Sequence, residues 1–181
     1  MPHETPYTSL PGTRKVDLDT PAFLVDLDVM ERNISSMATY FHDKPANLRP
    51  HMKHHKTPAI AHRQLSAGAI GVCCQKLGEA EVMADAGITD ILVTYQVVGE
   101  TKLHRLMALC RRATMSVTVD DAKNARDLSL FAKEAGVKLG VLVDINSGQN
   151  RCGVLPGKPA LNLARSISEL PGLELKGVNG Y

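Results

Sequence analysis

The most unusual stretch of the chain is Arg49-Pro50-His51-Met52-Lys53-His54-His55-Lys56, which crowds six protonatable side chains into eight residues. On a strand, successive side chains point to opposite faces. Arg49, His51 and Lys53 would then share one face, and Leu48, Pro50 and Met52 the other. The apolar set would pack under a helix, leaving the polar set on the working face. Three protonatable groups are costly there unless they are used or paired. Lysine does covalent chemistry when its amine is neutral, and a neutral amine attacks a carbonyl to form an imine. Burial and a nearby cation both lower a lysine pKa, and Arg49 is the candidate cation. The alternative is a solvated basic loop.

His51, His54 and His55 also invite a metal reading. No H-E-x-x-H pattern and no paired cysteines support it, so ordinary hydrogen-bonding histidines are the default. Ser147-Gly148-Gln149-Asn150-Arg151-Cys152-Gly153 is a second polar cluster, and it follows an apolar run. Arg151 there suits an anionic oxygen of a ligand, although a plain turn fits the composition too. Gln75 and Tyr181 end two further apolar runs and are placed to touch the same ligand. Gly153-Val154-Leu155-Pro156-Gly157-Lys158 is one residue short of a P-loop and lacks the Ser/Thr after its lysine. No G-x-G-x-x-G follows the first strand, which argues against a dinucleotide site. Cys73 and Cys74 have no activating base in view and read as small buried hydrophobes on opposite faces. With no C-x-x-C motif, we expect Cys73, Cys74, Cys110 and Cys152 to be reduced thiols in a cytoplasmic protein.

These residues need a scaffold, and the hydrophobic pattern supplies one. Thr20–Asp26 reads as a short extended run, and Asp28 to Glu31 as a capping box. Met30, Ile34, Met37 and Phe41 then recur at helical spacing, which predicts a helix over 29–42 with one buried face. A strand from Asn47 to Lys53 follows, then a helix that Thr57-Pro58 starts and Gly68 ends. Residues 69–75 form a strand, the next helix ends near Gly87, and Asp90 to Val98 is a strongly apolar strand. Leu103, Leu106, Met107 and Cys110 mark a helix; Met115, Val117 and Val119 alternate as a strand. Ala122, Ala125, Leu128, Ala132 and Ala135 share a helical face closed by Gly136. Lys138–Ile145 is a strand, Ala160, Ala164 and Ile167 mark a helix, and Leu173–Asn179 is the last strand.

Strand starts recur about every 20–35 residues, the size of a βα unit. Apolar strands alternating with amphipathic helices mean a parallel sheet covered by helices. An open doubly wound sheet and a (β/α)₈ barrel both fit. Six strands counted from Asn47 favour the open sheet, because a barrel closes with eight and typically roughly 250 residues. In either, ligands bind at the carboxyl ends of the strands.

The composition limits the partners. Aromatic residues make up 4% and Trp is absent, against a protein that stacks single-stranded bases. The net charge is +2 with no basic stripe, which suggests neither DNA nor an anionic membrane surface. No apolar run is long enough to span a bilayer, and the first residues lack the pattern of a secretory signal. Residues 1–16 read as an N-terminal arm.

Together the motifs resemble a known family. Asp19-Thr20-Pro21-Ala22, Val25-Asp26-Leu27-Asp28, Arg49-Pro50-His51-x-Lys53, Gly71-Val72-Cys73-Cys74-Gln75-Lys76, Asp90-Ile91-Leu92-Val93-Thr94 and Arg151-Cys152-Gly153-Val154 stand in the order seen in the D-threonine aldolase and D-serine dehydratase family. The Cys-Cys-Gln-Lys segment is most similar to its 3-hydroxy-D-aspartate aldolase branch. The resemblance implies the alanine-racemase type of pyridoxal phosphate (PLP) fold, an N-terminal α/β barrel followed by a C-terminal β domain. Lys53 matches the lysine that holds PLP as a Schiff base. Arg151 matches an arginine near the cofactor ring and Tyr181 a tyrosine meeting the pyridine nitrogen; His51 and Gln75 are expected to complete the cofactor contacts. His54 and Asn179 depart from the pattern, which more often has Thr and Gln there.

The implied activity is cleavage of a β-hydroxy-D-amino acid (D-threonine or 3-hydroxy-D-aspartate) to glycine and an aldehyde. Dehydration of D-serine-type substrates, or PLP binding without catalysis, is the alternative. The resemblance further implies a divalent metal whose ligands lie outside this chain, and a homodimer for the full-length protein. Residues 17–181 are expected to be an incomplete barrel of about six βα units without the C-terminal β domain, active alone only if a partial pocket suffices and poorly stable by itself.

Overall fold

The computed structural model describes residues 10–181; the first nine residues of the expected N-terminal arm lie outside that range. A single 3₁₀ turn at Lys15–Asp17 precedes helix α1, Leu27–His42. The chain then alternates: α2 (Pro58–Ser66), β1 (Val72–Cys74), α3 (Leu77–Asp85), β2 (Asp90–Val93), α4 (Glu100–Cys110), β3 (Thr114–Val119), α5 (Ala122–Ala135), β4 (Leu139–Ile145), α6 (Lys158–Ser168) and β5 (Leu173–Gly180).

The five strands are all parallel and stand in the order β1-β2-β3-β4-β5. That order decides the architecture. A doubly wound sheet reverses its strand order at a switch point. Here every crossover steps the same way, so with right-handed connections the helices between the strands, α3 to α6, fall on one face and the sheet curves as the arc of a barrel. The open sheet favoured by strand counting is therefore replaced by a barrel-like α/β domain.

Burial follows the pleat. Val72 and Cys74, Ile91 and Val93, Met115, Val117 and Val119, and Leu139, Val141 and Val143 face the helices and form the core with Leu106, Leu128 and Ile167. The other face carries Cys73, Leu92, Thr94, Ser116, Thr118, Leu142, Asp144 and Asn179, a far more polar set. Cys73 and Cys74 do sit on opposite faces. Burial raises the Cys73 thiol and, with Glu79, pushes Cys74 up to about 12; burial alone takes Cys110 to about 12. At pH 8 a thiol near 12 is on the order of 10⁻⁴ ionised. Timed iodoacetamide mapping is therefore expected to modify the loop residue Cys152 well before Cys74 or Cys110.

Several expected boundaries shift. Thr20–Asp26 is not a strand; it has no ladder partner among the described residues, and Phe23 is 98% exposed. The cap of α1 is Asp26, which accepts from the Val29 N–H at 3.0 Å, so Asp28 lies inside the first turn and there is no capping box. The apolar stripe of α1 is only half-buried: Met30, Ile34 and Phe41 are partly covered and Met37 is exposed. It faces Leu48, Pro50 and Gln64 across a cavity of about 490 Å³. The Asp90 strand stops at Val93, so Thr94 to Val98 is loop.

Nor is Asn47–Lys53 a strand. It runs beside β1 with three hydrogen bonds: Ile70 N–H to Leu48 O (3.0 Å), Cys73 N–H to Pro50 O (2.8 Å) and Met52 N–H to Cys73 O (2.8 Å). Only His51 forms a bridge, to Cys73, because Pro50 has no N–H to give. The sheet thus has five strands and one extended segment, not six strands. Gly71 makes this approach possible, since a Cβ there would overlap the Arg49 guanidinium and lie 2.8 Å from the Asp90 carbonyl.

Candidate active site at the carboxyl ends of the strands

After His51 the chain turns sharply. The Lys56 N–H returns to the Met52 carbonyl at 2.8 Å, enclosing Lys53 in the turn. Met52 is completely buried and anchors this turn in the core. Lys53 is consequently carried by a tethered turn beyond the end of the extended segment, rather than by a strand. Its Nζ lies 5.5 Å from the ring centroid of Tyr181, the residue after β5. Arg151 approaches the same ring, with Cζ 5.1 Å from its centroid and 6.0 Å from that of Tyr95. Two cations thus converge on one aromatic ring, each attracted by its quadrupole. Lys53, Arg151 and Tyr181, distant in sequence, meet at this ring.

The loop bearing Arg151 is held at both ends. Asn146 N–H donates to Val154 O (2.8 Å) and Val154 N–H to Asp144 O (2.9 Å). The Asn146 side chain accepts from Gly148 N–H at 3.0 Å and from Asn150 N–H at 3.1 Å. Gly153 N–H donates to Asp120 Oδ2 at 2.9 Å. Ser147 Oγ donates to the Tyr181 carbonyl at 2.6 Å, tying this loop to the end of β5.

His51 faces the same side. Its Nδ1 accepts from the Lys53 main-chain N–H at 3.2 Å and its Nε2 lies 3.1 Å from Thr94 Oγ1. Burial, then the charge of Lys53, lowers its pKa; Glu79 opposes them and His54 adds slightly. His55 Nδ1 accepts from Thr57 N–H at 3.0 Å while its buried Nε2 makes no hydrogen bond to the described residues, and burial lowers its pKa; His54 is exposed. Among the described residues, no three of His, Cys, Asp and Glu converge into a set able to hold a metal ion.

Two expected contributors are placed differently. Arg49 pairs with Asp90 Oδ1 at 2.8 Å, at the amino end of β2. It is thus spent at the opposite end of the sheet from Tyr181 and is not the cation beside Lys53. Gln75 directly follows β1, which ends at Cys74 rather than at Gln75, and its main-chain N–H donates to Glu79 Oε2 at 2.8 Å.

Sequence reasoning passed over Tyr95 and Gln96, read as strand, and Asp144, read as part of an apolar strand. Asp144 is 7% exposed. Its Oδ1 accepts from Asn179 Nδ2 at 2.6 Å and its Oδ2 from Gln96 Nε2 at 3.1 Å. One carboxylate therefore ties together the ends of β2, β4 and β5. Asn179, one of the departures from the family pattern, is used here. The available signal was a polar residue directly following an apolar run, at the end where ligands bind.

A family model for the alanine racemase N-terminal domain matches residues 25–181. D-threonine aldolase of Arthrobacter sp is 42% identical over 97% of this chain and 46% of its own length. 3-Hydroxy-D-aspartate aldolase of Paracoccus denitrificans is 40% identical over 96% of this chain and 45% of its own length. These two identities do not separate the two aldolase branches. The crystal structure of D-threonine aldolase from Filomicrobium marinum superposes with a TM-score of 0.88 at 53% identity, covering 91% of this chain and 44% of that one. The chain therefore spans a little under half the length of the relatives it matches.

Proposed function

The chain belongs to the alanine racemase N-terminal domain family, and from that premise we propose that its residues hold the cofactor of a PLP-dependent lyase acting on β-hydroxy-D-amino acids. The observation that carries this reading is the convergence of Lys53 and Arg151 on Tyr181. The substrate class comes from the aldolases named above, which act on D-threonine and 3-hydroxy-D-aspartate. Residues 17–181 correspond, in this reading, to the N-terminal part of a barrel domain.

The donor set suits PLP. Lys53 supplies an amine for its aldehyde, Tyr181 a hydroxyl for its ring nitrogen and Arg151 a cation beside the ring. Bound there, PLP would supply the electron sink for breaking the Cα–Cβ bond of a β-hydroxy-D-amino acid to give glycine and an aldehyde. Lys53 Nζ is the group able to take and return a proton at the reacting centre. Tyr181 offers a neutral partner rather than a carboxylate, which tempers the ring as an electron sink. The half-buried, neutral His51 keeps a further cation away from Lys53. A divalent metal is part of the same proposal, and the described residues bring together no set of His, Cys, Asp and Glu able to hold it.

Incubation with PLP, borohydride reduction and peptide mapping test the reading. The pyridoxyl label is expected on Lys53. Lys56, whose Nζ lies 3.9 Å from Glu79 Oε1 on the far side of the turn, should stay unlabelled. Label on Lys56, or on no lysine, would overturn the assignment.

A further inference from the structure

The hydrogen bonds around His51 admit one arrangement of protons. The Lys53 main-chain N–H is a donor only, so His51 Nδ1 must be the acceptor and carry no proton. In the neutral ring the proton then sits on Nε2, which donates to Thr94 Oγ1. Thr94 passes the direction on, its hydroxyl donating to the Cys74 carbonyl at 3.2 Å. The same carbonyl accepts the Thr94 N–H at 2.9 Å, so the threonine is pinned at the end of β2 by two bonds to β1. The row runs without conflict from Lys53 through His51 and Thr94 to Cys74.

We propose that Thr94 is a positioning residue: it holds His51 as the neutral Nε2–H tautomer, whose Nδ1 fixes the main chain of Lys53 and so the line along which the amine reaches its carbonyl partner. The last clause rests on the PLP reading; the tautomer does not. Imidazolium has no acceptor, so charging His51 would break the bond to Lys53. The charged and titratable groups facing the ring are Lys53 and His54 from its own segment and Glu79 from α3. With burial and Lys53 outweighing Glu79, the ring stays neutral to lower pH than an ordinary histidine. Protonation is then favoured in the unfolded chain, so this residue's contribution to stability falls as pH drops below the ordinary histidine range.

Nitrogen-15 NMR of the histidine rings, with PLP-borohydride labelling alongside, tests the proposal. The wild-type chain at pH 7 is expected to show His51 as a single neutral Nε2–H tautomer. An Nδ1–H ring, or imidazolium at that pH, overturns the proposal without any variant. Thr94→Val removes the acceptor of the Nε2 proton and with it one of the two bonds that orient the ring. It is expected to let an Nδ1–H ring appear beside the Nε2–H form, so that the single tautomer is lost, and to slow labelling of Lys53 about tenfold, the order of one hydrogen bond. Thr94→Ser keeps the hydroxyl and is expected to restore both. Wild-type tautomer and wild-type labelling in Thr94→Val, or no recovery in Thr94→Ser, overturns the positioning role. Failure of the PLP reading looks different: the wild-type tautomer is as expected, but Lys53 takes no label.

Discussion

Lys53→Arg is expected to abolish pyridoxyl labelling of the chain and, in a protein of full family length, to lower activity by roughly 10³-fold or more. Arginine keeps a cation near the Tyr181 ring, so the cation–π contact that positions the wild-type side chain is retained in kind. It lacks an amine that can become neutral and bond to a carbonyl carbon. The substitution thus separates charge from nucleophilicity. Lys53 is only half-buried and its side chain makes no salt bridge among the described residues. Stability should accordingly stay within about 1 kcal/mol of wild type in urea unfolding. A variant that folds and still takes label would show that another lysine carries the chemistry.

Gly153→Ala is the second large effect, and it acts on the scaffold rather than on a reacting atom. Gly153 has φ of +94°, a region that L side chains avoid. A Cβ there would lie 2.5 Å from Asn146 N and 2.6 Å from the Ile145 carbonyl carbon, both main-chain atoms that cannot swing aside. Backbone strain of this kind costs about 1–3 kcal/mol. The chain can relieve it only by moving the loop, which breaks the Gly153–Asp120 and Val154–Asp144 bonds and carries Arg151 off Tyr181. Displacement by about an ångström can cost on the order of a hundredfold where geometry matters. Urea unfolding and the dissociation constant for PLP should therefore both worsen. Arg151→Lys should weaken PLP binding while leaving stability near wild type. If Gly153→Ala lowers stability but leaves PLP affinity unchanged, the loop does not position Arg151 for the cofactor.

Much of the element order was legible because it is local. The helix Ala122–Ala135 shows its buried face and its glycine stop in one short stretch, with Gly136 ending it at φ +65°; the structure adds the cap, Asp121, which accepts from the Asn124 N–H. The alternation in Met115-Ser116-Val117 likewise reports a pleat with one face on the core. Errors arose where a partner decides. Phe23-Leu24-Val25 has strand composition, but a strand exists only against another strand. Asp90–Val98 is mostly apolar, yet pairing with β3 ends at Val93 and the chain then leaves the sheet as a loop.

By itself the sequence determined the alternation of strands and helices and marked the residues proposed to carry chemistry. Period-two alternation put Arg49, His51 and Lys53 on one side, and the carboxyl-end rule put Arg151 and Tyr181 near a ligand. Tertiary structure alone decided how these groups divide the work. Arg49 and Lys53 serve opposite ends of the sheet, because Asp90 pairs with one and the turn after His51 carries the other to Tyr181. The barrel-like curvature was equally beyond counting. Periodicity describes each βα unit separately, whereas the order of five strands depends on the direction of every crossover between them. The proton on His51 is the finest case. Its place is set by a donor two residues away and a hydroxyl just past the end of β2, brought together only when the sheet forms.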